Sequence, residues 1–169
     1  MEKEIGKEVP GEEPGGVPIV GRFVLYAAIV VLAVGLPAMS LLSGLSRARE
    51  RAKAAVCRNN LKTIALARDM YRVERKMRPI KLSDLHPFFI RDLDVFVCPA
   101  CGKRVIDPSR IGEESSYVVV NLTSIEKDEV AVYCRSCAPD GGRNVMLGDG
   151  RVVWMSQGDL DWALARIER

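Results

Sequence analysis

The longest apolar stretch of the chain runs from Phe23 to Leu45 and contains no charged residue. A helix of this length extends about 34 Å at about 1.5 Å per residue, and the hydrocarbon core of a bilayer is about 30 Å thick. A chain of 169 residues is too short to bury a helix that is apolar on every face. The pattern therefore predicts a transmembrane helix over residues 19–46. A buried core helix and a cleaved signal peptide fit the pattern less well.

The residues on either side of this stretch have different patterns. Residues 1–18 are polar, contain several Pro and Gly, and predict a disordered tail. Residues 47–76 contain neither Pro nor Gly, and their apolar positions recur at helical spacing. We expect them to form an amphipathic extension of the same helix, which would run from about Ile19 to Glu74. The apolar positions that support this extension are Ala52, Val56, Leu61, Ile64, Leu66 and Tyr71.

Residues 77–169 predict a β-rich globular domain that ends in a helix. Runs of β-branched and aromatic residues predict strands, and the Gly-Asp-Gly sequence at 148–150 predicts a hairpin turn. Ser156 and Asp159 have the spacing of a helix N-terminus. The long helix would cover the apolar face of the antiparallel sheet, so the predicted fold class is α+β. The predicted elements are a strand and tight turn within 94–105, strands at 115–123 and 129–134, a hairpin over 143–155, and a helix over 160–167 that packs through Trp162, Leu164 and Ile167.

The net charge says little about function, whereas the cysteine content suggests a specific kind of site. The net charge is +3, and the basic residues cluster just after the apolar stretch. This local excess does not indicate a nucleic-acid-binding protein, so we expect no nucleic acid among its partners. The chain has five cysteines, which is many for a domain of this size, and four of them form two C-x-x-C pairs.

The two pairs, Cys98/Cys101 and Cys134/Cys137, predict a metal site. The first pair, within the sequence CPACG, has the form of a zinc knuckle. Four thiolates about 2.3 Å from Zn²⁺ would close a tetrahedral structural site, which would contribute folding free energy to a domain with a small core. Two disulfides are the alternative, and a redox-active C-x-x-C is a third interpretation.

The other residues that could take part in chemistry are better explained by structural roles. Cys57 stands alone on the long helix and is interpreted as a small apolar residue, either buried or next to lipid. His86, the single histidine, is interpreted as an ordinary surface or half-buried residue. Asp149 lies between two glycines and is better explained as a turn residue than as a catalytic acid or metal ligand. The sequence has none of the motifs of zinc metalloproteases, serine hydrolases or phosphate-binding loops, so we expect no enzymatic activity.

Three motifs in a fixed order carry a family resemblance. LPAMSLLSGLSRARERAKAAVCRNNLKTIALARDMY begins at Leu36, VFVCP begins at Val95, and GGRNVMLGDGRVVWMS begins at Gly141. Through these motifs the chain resembles type IV pilin-like and type II secretion pseudopilin-like proteins of the bacterial group that carries a prepilin-type H-x9-DG domain. It departs from the family pattern at Tyr26, where the family has Glu, and at Pro139, where the family has His.

The resemblance implies a pilin-like architecture, in which a long N-terminal helix lies half in the membrane and packs on an antiparallel sheet. It implies a non-catalytic, membrane-anchored assembly subunit that contacts other pilin-like subunits or secretion-system proteins through the long helix. The implied location is the bacterial cytoplasmic (inner) membrane, crossed once, with the lipid bilayer as a partner and the C-terminal domain outside. The basic residues after the span favour the opposite orientation under the positive-inside rule. The alternative function is a membrane-tethered, zinc-ribbon-like binding module that forms no filament.

Overall fold

The computed structural model describes residues 19–102, 104–124, 126–135 and 141–167. The chain divides into two compact units, Met1–Ser43 and Gly44–Arg169. The tail predicted over residues 1–18 lies outside the described residues. The helical part begins with α1 (Ile19–Val30), a π-helical segment (Val31–Gly35) and α2 (Leu36–Arg75), which belongs to the second unit from Gly44 onward.

The predicted transmembrane helix is absent from the part of the chain that the structure describes. No helix there combines the length and the apolar character that crossing a membrane requires. The apolar stretch is divided among the 12 residues of α1, the 5 residues of the π-helical segment and the start of α2. A span needs about 20 consecutive apolar residues in one helix, and α2 becomes charged from Arg47 onward. This finding contradicts the prediction of a single-pass protein of the inner membrane.

The second unit confirms the predicted α+β fold class, with a long helix and a four-stranded antiparallel sheet. After α2, the chain forms short helical segments, the sheet and a terminal helix. Their bounds are 3₁₀ turns at Leu82–Leu85, Leu93–Phe96 and Pro108–Arg110, α3 at Ile111–Glu114, β1 at Tyr117–Val119, β2 at Val130–Cys134, β3 at Arg143–Leu147, β4 at Val152–Met155, and α4 at Gln157–Ile167.

The sheet is an antiparallel meander in the order β1-β2-β3-β4. Tyr117 on β1 lies opposite Cys134 on β2. The predicted hairpin is confirmed by the pairing of β3 with β4, and its turn contains Gly150 at a φ of 88°, a conformation that side chains disfavour. The predicted start of the terminal helix is also confirmed, because the Ser156 hydroxyl accepts a hydrogen bond from the Asp159 amide at 3.2 Å.

Both faces of the sheet are covered. One face packs against α2, where Leu61 and Ile64 are fully buried in the same cluster as Val132 and Met146. The other face packs against α4 through a smaller cluster, which consists of Val130, Val145, Leu147 and Leu160. A register irregularity between Val130 and Val132 interrupts the alternation of β2 between the two faces.

Three details of the prediction differ from the structure. The segment before Cys98 is a 3₁₀ turn and not a strand, because the Asp92 carboxylate accepts a hydrogen bond from the Asp94 amide at 2.9 Å and caps a helical turn. In the terminal helix, Leu164 packs on the sheet as predicted, whereas Trp162 and Ile167 are 65 and 36% exposed and Leu160 is the buried residue. The α2 positions assigned by periodicity also divide, since Leu61 is buried whereas Leu66 is 63% exposed.

Candidate metal centre

Three cysteines from distant parts of the chain converge in the core between α2 and the sheet. The sulfur atoms of Cys57, Cys98 and Cys134 all lie within 4.8 Å of one another, and all three residues are fully buried. Together these three residues form what we call the cysteine cluster. Thiolates at such distances can bind one metal ion, so the cluster is a candidate metal centre.

Cys57 comes from helix α2. It lies on the buried face of this helix together with Leu61, Ile64 and Arg68. These four residues follow one another at intervals of four, three and four positions, which places them along one side of a helix. Cys57 therefore points into the same core as its neighbours on that face, toward the sheet.

The loop that carries Cys98 is held from two sides. From α2, the Asn60 amide nitrogen donates to the backbone carbonyl of Val97 at 3.0 Å and to that of Asp94 at 3.3 Å. From the start of β1, the Ser115 hydroxyl and the Ser116 amide donate to the Phe96 carbonyl at 3.0 and 3.1 Å. These bonds satisfy the backbone just before Cys98 and fix its position against the helix.

The remaining cysteines of the described chain lie at the end of β2 and in the turn after Cys98. Cys134 is the last residue of β2, and its antiparallel partner is Tyr117. The Cys101 amide donates to the Cys98 carbonyl at 3.0 Å, and Gly102 follows at a φ of 64°, so the C-x-x-C segment is a tight turn. The Cys101 side chain interacts with those of Cys98 and Cys134, so it borders the cysteine cluster from a half-buried position.

The electrostatic environment disfavours a thiolate at Cys101 in the absence of a cation. Burial raises the pKa of the Cys101 thiol, and negative charge at Cys98 raises this pKa further. The pKa of Tyr117 is also raised, first by burial and then by its neighbour Cys57. A bound cation reverses this effect, because it stabilises the negative charge of the sulfurs that ligate it.

Two buried hydroxyl groups border the same thiols. Ser116 Oγ and Tyr117 OH are inaccessible to solvent, and neither makes a hydrogen bond of ordinary geometry with a described residue. Ser116 lies beside Cys101, and Tyr117 lies beside Cys57. Each hydroxyl therefore lies against a thiol, which is a weak hydrogen-bond acceptor, and neither has a strong partner.

The structure brings together part of the predicted ligand set. Cys98 and Cys134 are in the cysteine cluster, Cys101 borders it, and Cys137 lies outside the described residues. Sequence reasoning missed Cys57 and treated it as a packing residue. Its spacing from Leu61 along α2 was the available signal, because a cysteine on the face that packs against the sheet can reach cysteines of the sheet.

The other singled-out residues lie away from the cluster in different environments. His86 is half-buried after the first 3₁₀ turn. Asp149 lies in the β3–β4 turn, where its carboxylate accepts from the Arg151 amide at 3.0 Å and pairs with the Arg151 guanidinium. These side-chain hydrogen bonds lower the pKa of Asp149, which agrees with its interpretation as a turn residue.

Comparisons with protein-family models, with curated proteins and with solved structures gave no match for this chain. The resemblance to pilin-like proteins therefore stays a prediction from three motifs.

Proposed function

We propose that this protein is a non-catalytic structural module whose fold is held together by a zinc ion bound to buried thiolates. The observation that carries the proposal is the convergence of Cys57, Cys98 and Cys134 from a helix, a loop and a strand. A tetrahedral site with Zn–S distances of about 2.3 Å separates its sulfurs by about 3.8 Å. The three sulfurs therefore need little rearrangement to bind one ion.

Cys101 supplies the fourth thiolate in this proposal. Its side chain already interacts with those of Cys98 and Cys134, and it comes from the same tight turn as Cys98. A site closed by four thiolates leaves no open position for a substrate, which favours a structural role over a catalytic one. The ion would connect α2, the tight turn that contains Cys98 and Cys101, and β2.

The surroundings fit a cluster of metal-bound thiolates better than disulfides. Cys57, Cys98, Cys101 and Cys134 are not joined to one another by disulfides. The buried hydroxyls of Ser116 and Tyr117 are oriented groups that can donate to anionic sulfur, as groups next to metal ligands commonly do. Thiolate ligands and a tetrahedral arrangement select zinc among the common divalent metals.

A second candidate is an assembly subunit that contacts its partners through the long helix. The packing of α2 on a four-stranded antiparallel sheet supports it, because this is the architecture that the pilin-like resemblance implies. The membrane anchor of that family is not part of this proposal. The two candidates are compatible, since a zinc-stabilised fold can present a helix for assembly.

The direct test is the metal content of the full chain, purified without added metal and measured by elemental analysis and native mass spectrometry. We expect about one zinc per chain and a large loss of thermal stability on chelation, because metal binding and folding are coupled in such sites. Blocked thiols without metal would contradict the proposal in favour of disulfides.

Two cysteine variants identify the ligand set. We expect Cys57→Ser to lose stoichiometric zinc and Cys137→Ser to retain it. The opposite result would support the set predicted from sequence and would overturn the one proposed from the structure. Ile64→Val is the matched control, because this fully buried residue lies on the same face of α2 and its loss of one methyl group leaves every thiol in place.

A further inference from the structure

The side of α2 that faces away from the sheet carries an unexplained row of apolar residues. Leu66, Met70 and Val73 are 63, 51 and 65% exposed. Val56, earlier in the helix, is 48% exposed and lies at the edge of this side, where it lines a depression with Asn60 and Val97. The depression beside Met70 and Val73 has a volume of about 380 Å³. Isolated exposed apolar residues are ordinary, whereas a contiguous row on one helix face indicates an interaction surface.

The row has the spacing of a coiled-coil seam. We define the outer stripe as the residues at alternating steps of three and four, namely Val56, Asn59, Thr63, Leu66, Met70 and Val73. The Thr63 hydroxyl donates to the Asn59 carbonyl of its own helix at 3.1 Å, so Thr63 presents mainly its methyl group to the outside. A strict alternation of three and four is the pattern by which one helix packs along another.

The charges that flank the outer stripe favour a second copy of the same helix in antiparallel orientation. Lys62 is exposed, and Asp69 lies on the same flank seven residues later with its side chain 44% exposed. When two copies run antiparallel, Lys62 of each copy can face Asp69 of the other, and two-fold symmetry forms this pair twice. In a parallel pair, Asp69 would instead lie beside Glu74 of the second copy, and the like charges would repel.

The antiparallel register also pairs all residues of the outer stripe. With Lys62 near Asp69, Val56 lies opposite Val73 of the second copy, Thr63 opposite Leu66, and Asn59 opposite Met70, so every layer contains an apolar side chain. Asp69 already contacts the Arg68 guanidinium at 3.3 Å and that of Arg72 at 4.0 Å, and these contacts leave part of its carboxylate open. The stripe lies opposite the face that packs on the sheet, so the sheets of two copies would point away from each other.

We propose that the protein forms a symmetric dimer through the outer stripes of two antiparallel α2 helices. This inference rests on the proposed role as an assembly subunit and names its partner as a second copy of the chain. It does not depend on the metal, because Leu66, Met70 and Val73, the most exposed part of the stripe, lie on the side of α2 away from the cysteine cluster. A failure of metal binding would thus leave the dimer testable, and the reverse also holds.

Sedimentation of the full chain over a range of concentrations provides the test. We expect a monomer–dimer equilibrium, and we expect Leu66→Lys to weaken dimerisation by about tenfold or more, because it places a charge in the apolar seam. The matched control is Ile106→Lys, which alters an 84% exposed apolar residue outside the stripe and should leave the equilibrium unchanged. A chain that stays monomeric, including one whose stripe is covered by its own residues, overturns the proposal.

A charge exchange and a cross-link test the orientation. Lys62→Glu should weaken the dimer, and the double variant Lys62→Glu/Asp69→Lys should restore it. In the unaltered protein, a zero-length carbodiimide cross-link should join Lys62 to Asp69 between two isotopically distinguishable copies. Within one helix, the two residues are about 10 Å apart along the axis, which is too far for such a link. A dimer without this cross-link and without rescue by the double variant would overturn the antiparallel arrangement.

Discussion

The two faces of α2 have similar apolar residues and opposite environments. On the inner face, Leu61 and Ile64 are fully buried against the sheet, whereas on the outer face Leu66 and Val73 are 63 and 65% exposed. Hydrophobicity alone does not distinguish these faces, because each consists of aliphatic side chains at helical spacing. Their difference arises from what lies opposite them in the fold. With the proposed dimer, one helix would combine a packing surface with a binding surface.

The largest expected effect of a single substitution comes from the inner face. Leu61→Ala should lower the free energy of unfolding by about 2–5 kcal/mol, because it removes a fully buried side chain and leaves a cavity. Urea unfolding of the full chain, with metal content held constant, measures this loss.

Leu66→Ala is the matched control for Leu61→Ala on the same helix. It should change the unfolding free energy of the monomer by no more than about 0.5 kcal/mol, since the side chain is already mostly in water. Equal losses for the two variants would mean that the outer stripe is covered within the monomer, and the contrast between the two faces would disappear.

Much of the fold could be predicted from local patterns. The hairpin and the start of the terminal helix depend on adjacent residues, such as Gly150 in the turn and Ser156 at the helix cap. The faces of α2 could not be assigned, because Leu61 and Leu66 differ only in what the fold places next to them. The predicted membrane span was wrong because an uncharged run of sufficient length says nothing about whether it forms one uninterrupted helix.

The second prediction concerns the Tyr117 hydroxyl, which borders the cysteine cluster on the side of the sheet that faces α2. Tyr117→Phe should weaken zinc binding about 10–100-fold, because it removes a buried donor next to the thiolates. In the metal-free protein the same change should alter stability by no more than about 1 kcal/mol, because the neighbouring Cys57 thiol is only a weak acceptor for the hydroxyl. Competition with a chromophoric chelator gives the affinity, and thermal unfolding of both forms gives the stabilities.

Tyr133→Phe is the control for Tyr117→Phe. Tyr133 lies on β2 and packs against the hydrophobic cluster on the opposite face of the sheet, away from the cysteines. It should leave zinc affinity unchanged. A loss of affinity in both variants would indicate a general weakening of the sheet, and no loss in Tyr117→Phe would show that its hydroxyl does not act on the metal.

The candidate site could be only partly predicted. The C-x-x-C spacing identifies Cys98 and Cys101 because both ligands come from one turn. The contribution of Cys57 depends on the rotation of α2 about its axis, and the sequence gives no direct measure of that rotation. Likewise, the position of Tyr117 opposite Cys134 follows from the pairing of β1 with β2, which brings the two residues together across a long loop.

The third prediction compares two adjacent residues that lie on different sides of α2. Asn60→Ala should cost about 1 kcal/mol of stability, because the amide donates to the Asp94 and Val97 carbonyls before the knuckle. Its neighbour Asn59 belongs to the outer stripe, and Asn59→Ala should leave monomer stability unchanged. Zinc release after addition of excess chelator should be faster in Asn60→Ala alone, since only this variant loosens the loop that carries Cys98. Equal release rates in the two variants would contradict this role of Asn60.

The smallest expected effect lies at the β3–β4 turn, which approaches the inner face where Gly150 lies near Ala65. Hydrogen bonds from Arg151 hold the pKa of Asp149 below its usual range. A carboxyl whose pKa is lower in the folded state stabilises the fold fully above its unfolded pKa of about 3.9, and this contribution is lost as the pH falls through the folded pKa. Asp149→Asn should therefore reduce stability near neutral pH and flatten the decline of stability in acid.

The effect of Asp149→Asn is small because Arg151 is 55% exposed and solvent screens the pair. Urea unfolding at a series of pH values measures it, and an unchanged acid limb would show that this turn, unlike the buried face beside it, contributes no stability through its charges.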